Sequence, residues 1–200
     1  KFHFSVLDTE EINAFATPGG YIFVTKGLLR VMKDESELAA VLGHEIAHVN
    51  EKHMYLEIMP KRTISAGETI TRILSRGGSD IGNNLGKMVG AGMKMLIEEG
   101  LGKEKEYRAD EAGILYASAA GYNPVSMVSL LNRIHDNAKT VKISKTHPPY
   151  AERIHSLESY VKSNGLENKL KAAKPTLDRR FSVALTPLIA SPIKPSTDSP

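Results

Sequence analysis

The first 25 residues alternate between apolar and polar positions. Phe2, Phe4 and Val6 stand between His3 and Ser5, and the runs Ala14-Phe15-Ala16 and Tyr21-Ile22-Phe23-Val24 flank Thr17-Pro18-Gly19-Gly20. Proline presets its own dihedral and glycine accepts a positive one, so this tetrapeptide reads as a turn between two strands. A small antiparallel sheet is expected. From Asp34 the period changes. Asp34 followed by Glu37 has the form of a capping box, and Leu38, Val41, Leu42 and Val49 recur at helical spacing, which predicts one helix from about Glu35 to His53.

Three more helices follow from punctuation. One covers roughly Glu104 to Ala120 and stops at Gly121, a residue suited to a left-handed cap. Asn123-Pro124 opens the next with a cap and a first-turn proline, and Pro148-Pro149 opens another that ends near Gly165. The apolar stretch Ile81 to Ile97 is interrupted by Lys87 and Lys94 and carries four glycines. It falls short of the roughly 20 apolar residues of a membrane span. Its spaced Leu85, Met88, Val89, Met93 and Leu96 fit a core-facing stripe better than peripheral contact with a membrane surface. After Lys174 the composition turns to Pro and Ser, with five of the ten prolines in the last 26 residues. Within this tail, Phe181-Ser182-Val183-Ala184-Leu185 has a strand-like pattern that could add to the sheet edge near Asn13 or cover the cleft. The organisation expected is a catalytic domain over residues 1–174 and a tail over 175–200, of α+β class: a short sheet plus several helices.

At 200 residues and 41% hydrophobic, the chain can bury a sizeable core. Cysteine is absent, which excludes disulfides, thiol nucleophiles and cysteine-ligated zinc. Any metal must be held by the seven histidines and 23 acids. A net charge of +3, with basic residues scattered among the acids, argues against a nucleic-acid partner. The chain starts at Lys1 without an initiator Met, which leaves room for a leader upstream.

The strongest chemical signal lies in the capped helix, at His44-Glu45-Ile46-Ala47-His48. Histidines four apart project from one helix face, one turn above each other, and a single zinc can take both. Glu45 lies one step round, within reach of a metal-bound water. Three polar groups among Val41, Leu42, Gly43, Ile46, Ala47 and Val49 would be costly to bury without a metal. A catalytic zinc needs a third protein ligand and one open position. The metzincin pattern would place Gly at 51 and His at 54, but the chain has Glu51 and Met54, so that class is excluded. A Glu on a later helix is the alternative. Glu106-Tyr107-Arg108-Ala109-Asp110 supplies two acids one turn apart, of which Glu106 can bind zinc while Asp110 holds the outer nitrogen of a ligand histidine.

Several separated motifs occur in the order of a known family. Asn13-Ala14-Phe15-Ala16 and Gly20-Tyr21-Ile22-Phe23-Val24-Thr25-Lys26-Gly27-Leu28-Leu29 precede the HEIAH helix, the Glu-x-x-Ala-Asp-containing helix follows it, and Thr146-His147-Pro148-Pro149 with Arg153 comes after. From about Asn13 to Leu157 the chain resembles the zinc metallopeptidase group of HtpX, BepA and the CaaX prenyl protease. The resemblance implies a mostly helical gluzincin-type domain with one zinc on His44, His48 and Glu106, Glu45 as general base and Asp110 behind a ligand. It also implies that His147 approaches the zinc or the scissile carbonyl and that Arg153 orients nearby acids or substrate. The transmembrane hairpins of the integral-membrane members are missing, which places the chain nearer the envelope-located BepA-like branch, in a bacterial periplasm. No tetratricopeptide repeat follows the domain.

The reading is a zinc metalloendopeptidase acting on unfolded or misassembled, extended polypeptides of the cell envelope. Residues Asn13, Ala14, Phe15 and Ala16 would offer a strand edge for main-chain pairing with substrate, an ordinary inner strand being the alternative. The alternative for the whole chain is a zinc-containing, chaperone-like binding module with little peptidase activity; Glu45 argues against it, since a binding-only site needs no base. His3, His53, His135 and His155 are left as structural.

Overall fold

A computed structural model describes residues 1–58, 101–137, 147, 150–167 and 175–190. Three strands open the chain: β1 (His3–Leu7), β2 (Ala14–Thr17) and β3 (Tyr21–Thr25). They form one sheet in the order β1-β3-β2. The hairpin at Thr17 to Tyr21 is antiparallel as expected, with Ala14 opposite Val24 and Ala16 opposite Ile22. β1, however, runs parallel to β3, pairing His3 with Tyr21 and Leu7 with Thr25, so the sheet is mixed and not purely antiparallel. The α+β class stands. Alternation tells which faces a strand presents and is silent on which neighbour it takes; here the chain from Asp8 to Asn13 carries β2 to the far side of β3.

Thr25 ends the sheet and starts a helix. Its hydroxyl oxygen accepts from the Leu28 N–H and donates to the Glu11 carbonyl, which caps α1 (Lys26–Val31) and fastens the preceding loop to it. Asp34 then caps α2 (Glu35–Asn50), accepting from the Glu37 N–H at 2.9 Å. Glu37 completes the cap one residue further back than the box pattern predicts, at the Lys33 N–H. The single helix expected to run to His53 is two: α2 ends at Asn50, Lys52 takes a left-handed φ of +56°, and α3 (His53–Ile58) restarts in a new direction.

The later helices are α4 (Lys103–Ala119), α5 (Ser126–Asp136) and α6 (Tyr150–Ser163), each within a few residues of its expected bounds where those are described. α2 and α4 pack closely because their facing stripes are small: Ala40, Gly43 and Ala47 against Ala109, Gly113 and Ala117. A Cβ built on Gly113 would stand 2.8 Å from the His44 backbone nitrogen, and one on Gly43 would stand 2.8 Å from the Gly113 carbonyl oxygen. Only glycine allows this approach, and it brings the acids of α4 onto the histidine face of α2. Leu28, Leu130, Leu131, Ile134, Leu157 and Val161 close the apolar core on the other side of α2.

The segment Phe181 to Leu185 is not a strand. It lies within α7 (Pro175–Ala190), which packs against α1 and α2. Phe181, Leu185 and Leu188, spaced at one helical face, meet the core, while Val183 is 68% exposed. The alternation was a chance overlay on a helical stripe, and α7 neither extends the sheet nor covers the cleft. Among the described residues no helix is long and apolar enough to cross a membrane. The expectations for Ile81 to Ile97 and for the Pro148-Pro149 helix start lie outside the described residues.

Candidate metal centre

His44 and His48, one turn apart on α2, are both buried, and their Nε2 atoms face each other at 2.9 Å. Glu106, in the first turn of α4 and fully buried, closes the triangle: its Oε1 is 3.5 Å from His48 Nε2 and its Oε2 is 3.7 Å from His44 Nε2. His147 Nδ1 approaches the same point, 3.4 Å from His44 Nε2 and 2.9 Å from Glu106 Oε2. One ligand atom from each of these four residues lies within 4.8 Å of the other three. Two imidazole nitrogens and a carboxylate converging away from solvent are the donor set that zinc takes. The geometry fits a metal for a second reason. Glu45 is buried beside them, and its Oε2 has no hydrogen-bond partner among the described residues. Burial of an unpaired carboxylate is costly unless something in the site uses it.

Behind the triangle lies a tightly bonded frame. His44 Nδ1 is 2.8 Å from Asp110 Oδ1, one turn along α4 from Glu106. Arg153 of α6, itself buried, donates from Nε and Nη2 to the two Asp110 oxygens at 2.8 and 2.6 Å. Its Nη1 reaches Glu106 Oε2 at 3.3 Å and the His147 carbonyl oxygen at 3.4 Å. One guanidinium therefore ties three elements of the site together.

These contacts set the proton affinities. Burial would raise the Asp110 carboxyl, but the paired Arg153 charge outweighs it and holds the group down at about 2. Glu106 is also pushed up by burial and brought below its ordinary value by His147 and Arg153. Glu45 differs: burial dominates and its pKa rises. Burial lowers His48, with His44 and His147 adding to the effect. His147 would be lowered by burial too, yet the Glu106 and Glu45 carboxylates push it up to about 9.

Next to the metal face stands the edge of the sheet. Among the described residues β2 has one sheet partner, β3, and its Ala14 carbonyl oxygen accepts from His147 Nε2 at 3.1 Å. Asn13 and Ala14 line a small cavity with His44, Glu45 and His147. Ala16 belongs to the wall of a larger one, about 480 Å³, which reaches His48, Asn50 and Lys52. The Phe15 side chain stacks on Phe23 at 5.2 Å, on the other face of β2, so only its main chain lies along this edge. One residue left as structural by sequence reasoning is drawn in. His53 is buried, with Nδ1 2.9 Å from His48 Nδ1. A five-residue spacing has no helical meaning, so its only signal was the polar run Asn50-Glu51-Lys52 that breaks the helix.

The chain is similar to a known family and to several curated proteins. The family model of peptidase family M48 matches residues 1–161. The beta-barrel assembly-enhancing protease of Yersinia pestis is 30% identical over 157 residues, which are 74% of this chain and 32% of that protein. The mitochondrial metalloendopeptidase OMA1 of Schizosaccharomyces pombe is 29% identical over 169 residues, 80% of this chain and 47% of its own length. A protease HtpX homolog of Thermodesulfovibrio yellowstonii is 26% identical over 195 residues, covering 77% and 67% respectively. The chain thus spans about a third to two thirds of the length of these curated relatives.

Proposed function

The chain belongs to peptidase family M48, and from that membership we propose that it is a zinc metalloendopeptidase that hydrolyses unfolded or misassembled polypeptides. His44, His48 and Glu106 would hold the zinc. The observation that carries the reading is the buried, unpartnered Glu45 Oε2 beside three converging ligand side chains. A binding-only metal site would gain nothing from such a carboxylate, which is why the chaperone-like alternative is set aside.

Bound zinc supplies a Lewis acid that polarises the scissile carbonyl and brings the pKa of a water to about 7. Glu45 takes the proton of the attacking water and passes it to the leaving amine; a carboxyl raised by burial is suited to both tasks. Asp110 Oδ1, 2.8 Å from His44 Nδ1, would take the proton of that nitrogen and keep the opposite lone pair toward the metal. Arg153 holds Asp110 and the His147 backbone in place. The edge of β2 at Asn13, Ala14, Phe15 and Ala16 offers main-chain groups to an extended substrate, giving affinity without demand for a particular sequence. Residues 1–174 carry this chemistry and 175–200 take no part in it. The name of the Yersinia pestis relative, a beta-barrel assembly-enhancing protease, supports substrates in the cell envelope and a periplasmic enzyme.

The test combines zinc analysis with hydrolysis of casein, with and without a chelator. One zinc per chain and chelator-sensitive cleavage are expected. Glu106→Ala should lose the metal, because two histidines alone make a poor site. A zinc-loaded chain that binds casein and leaves it intact would favour the binding module.

A further inference from the structure

The zinc reading leaves one buried imidazole without a role. His53 is 3% exposed, its Nδ1 faces His48 Nδ1 at 2.9 Å, and its Nε2 lies 3.2 Å from Glu51 Oε2. Glu51 Oε2 is in turn 2.7 Å from Arg108 Nη2, near the surface. Backbone geometry makes the contact possible. Residues five apart on a continuous helix point about 140° away from each other, so His53 could not meet His48 if α2 ran on. Instead α2 stops at Asn50, Lys52 takes the left-handed φ of +56°, and His53 folds back against the ring of His48. A left-handed conformation at a residue other than glycine is strained, and it persists where the surroundings hold it.

Two facing Nδ1 atoms share one proton. A histidine that offers its Nε2 lone pair to a metal must carry its own proton on Nδ1, so His48 donates and His53 accepts. The proton of His53 then sits on Nε2, directed at Glu51. We propose that His53 is a positioning residue for His48, accepting its Nδ1 proton and so fixing the ring in the orientation and tautomer that aim Nε2 at His44 and Glu106. The two ligand histidines are thus supported unequally: His44 by the carboxylate of Asp110, His48 by an imidazole with a carboxylate one step further out.

This inference rests on the zinc reading of the same site, and the experiment separates the two. The zinc dissociation constant of the full chain is measured by chelator competition for wild type, His53→Leu and His53→Asn. Leu keeps much of the volume and has no acceptor; Asn places an accepting Oδ1 near the position of Nδ1. His53→Leu should bind zinc about 10- to 100-fold more weakly, the usual cost of losing a partner behind a metal ligand, and His53→Asn should stay within about threefold of wild type. Melting temperatures of the metal-free proteins report packing alone and should not follow that order. If His53→Leu does not fold, Glu51→Ala replaces it, with an expected loss of about tenfold from freeing the outer end of the chain. Unchanged zinc affinity in His53→Leu, or in Glu51→Ala in its place, overturns the inference and leaves the zinc reading standing. Equal losses in the Leu and Asn variants also overturn it, since they reduce His53 to packing. A wild-type chain that holds no zinc overturns the reading of the site and this inference with it.

Discussion

Helix α2 buries two glutamates, Glu37 near its start and Glu45 in its third turn, and each is only 2% exposed. Glu37 has every need met. Its Oε2 accepts from the Lys33 N–H and from Arg133 Nη1, both at 2.8 Å, and its Oε1 accepts from Arg133 Nη2 at 2.8 Å. Arg133 also donates to the Val31 carbonyl oxygen, so the pair locks the α1–α2 junction onto α5. Among the described residues Glu45 has no donor for Oε2, and His147 Nε2 lies 3.5 Å from its Oε1. The same residue type, equally buried on the same helix, is saturated in one place and left open in the other. A saturated buried carboxylate holds a fold together; the open one, beside side chains that could hold a metal, is the one the proposed mechanism uses.

The contrast is broken most strongly at the open end. Glu45→Gln should lower hydrolysis by about 10² to 10⁴ while zinc content and melting temperature hold, since the change removes a base and no ligand. Near-normal turnover in that variant would refute the role. At the saturated end, Glu37→Gln should act in the opposite sense. It leaves Arg133 without its charge partner and should cost about 3 kcal/mol of stability in denaturant unfolding, the low end for a broken buried pair because Arg133 is partly exposed. If Glu37→Gln melted like wild type, saturation would not be a mark of structural work.

His147 lies between the two cases, bonded at Nε2 to Ala14 and facing the ligand set with Nδ1. If it fills the open ligand position in all but a tenth of molecules, His147→Ala raises basal cleavage about tenfold. Unchanged rates and unchanged zinc affinity return it to an ordinary loop residue. The smallest effect is expected at the rim, where Arg180 of α7 and the Tyr122 hydroxyl both donate to Glu35. The Arg180 hydrogen bond, more than offsetting burial, holds the Glu35 carboxyl below its ordinary value. Its stabilisation is therefore present at neutral pH and lost as the pH falls through that lowered value. Arg180→Ala should lower the melting temperature slightly at pH 7, and the difference from wild type should vanish in acid. A difference that persists in acid would assign the effect to packing.

Short-range order carried most of what the residues alone could tell. The 3.6 period of α2, its Asp34 cap and the four-residue spacing of His44 and His48 are properties of one helix, and a helix is fixed by neighbours in sequence. The same holds for Glu106 and Asp110 on α4. Their meeting with His44 was an expectation from chemistry, and the small stripes Ala40-Gly43-Ala47 and Ala109-Gly113-Ala117 are its legible cause. What the tertiary structure decided are matters of partner and direction. β1 lies parallel to β3 because of where the chain carries β2. Phe181 to Leu185 is helical because α1 and α2 offer an apolar face to Phe181, Leu185 and Leu188. His53 reaches His48 because one left-handed residue turns the chain, and a dihedral at Lys52 is held by the packing around it, which no local pattern of side chains encodes.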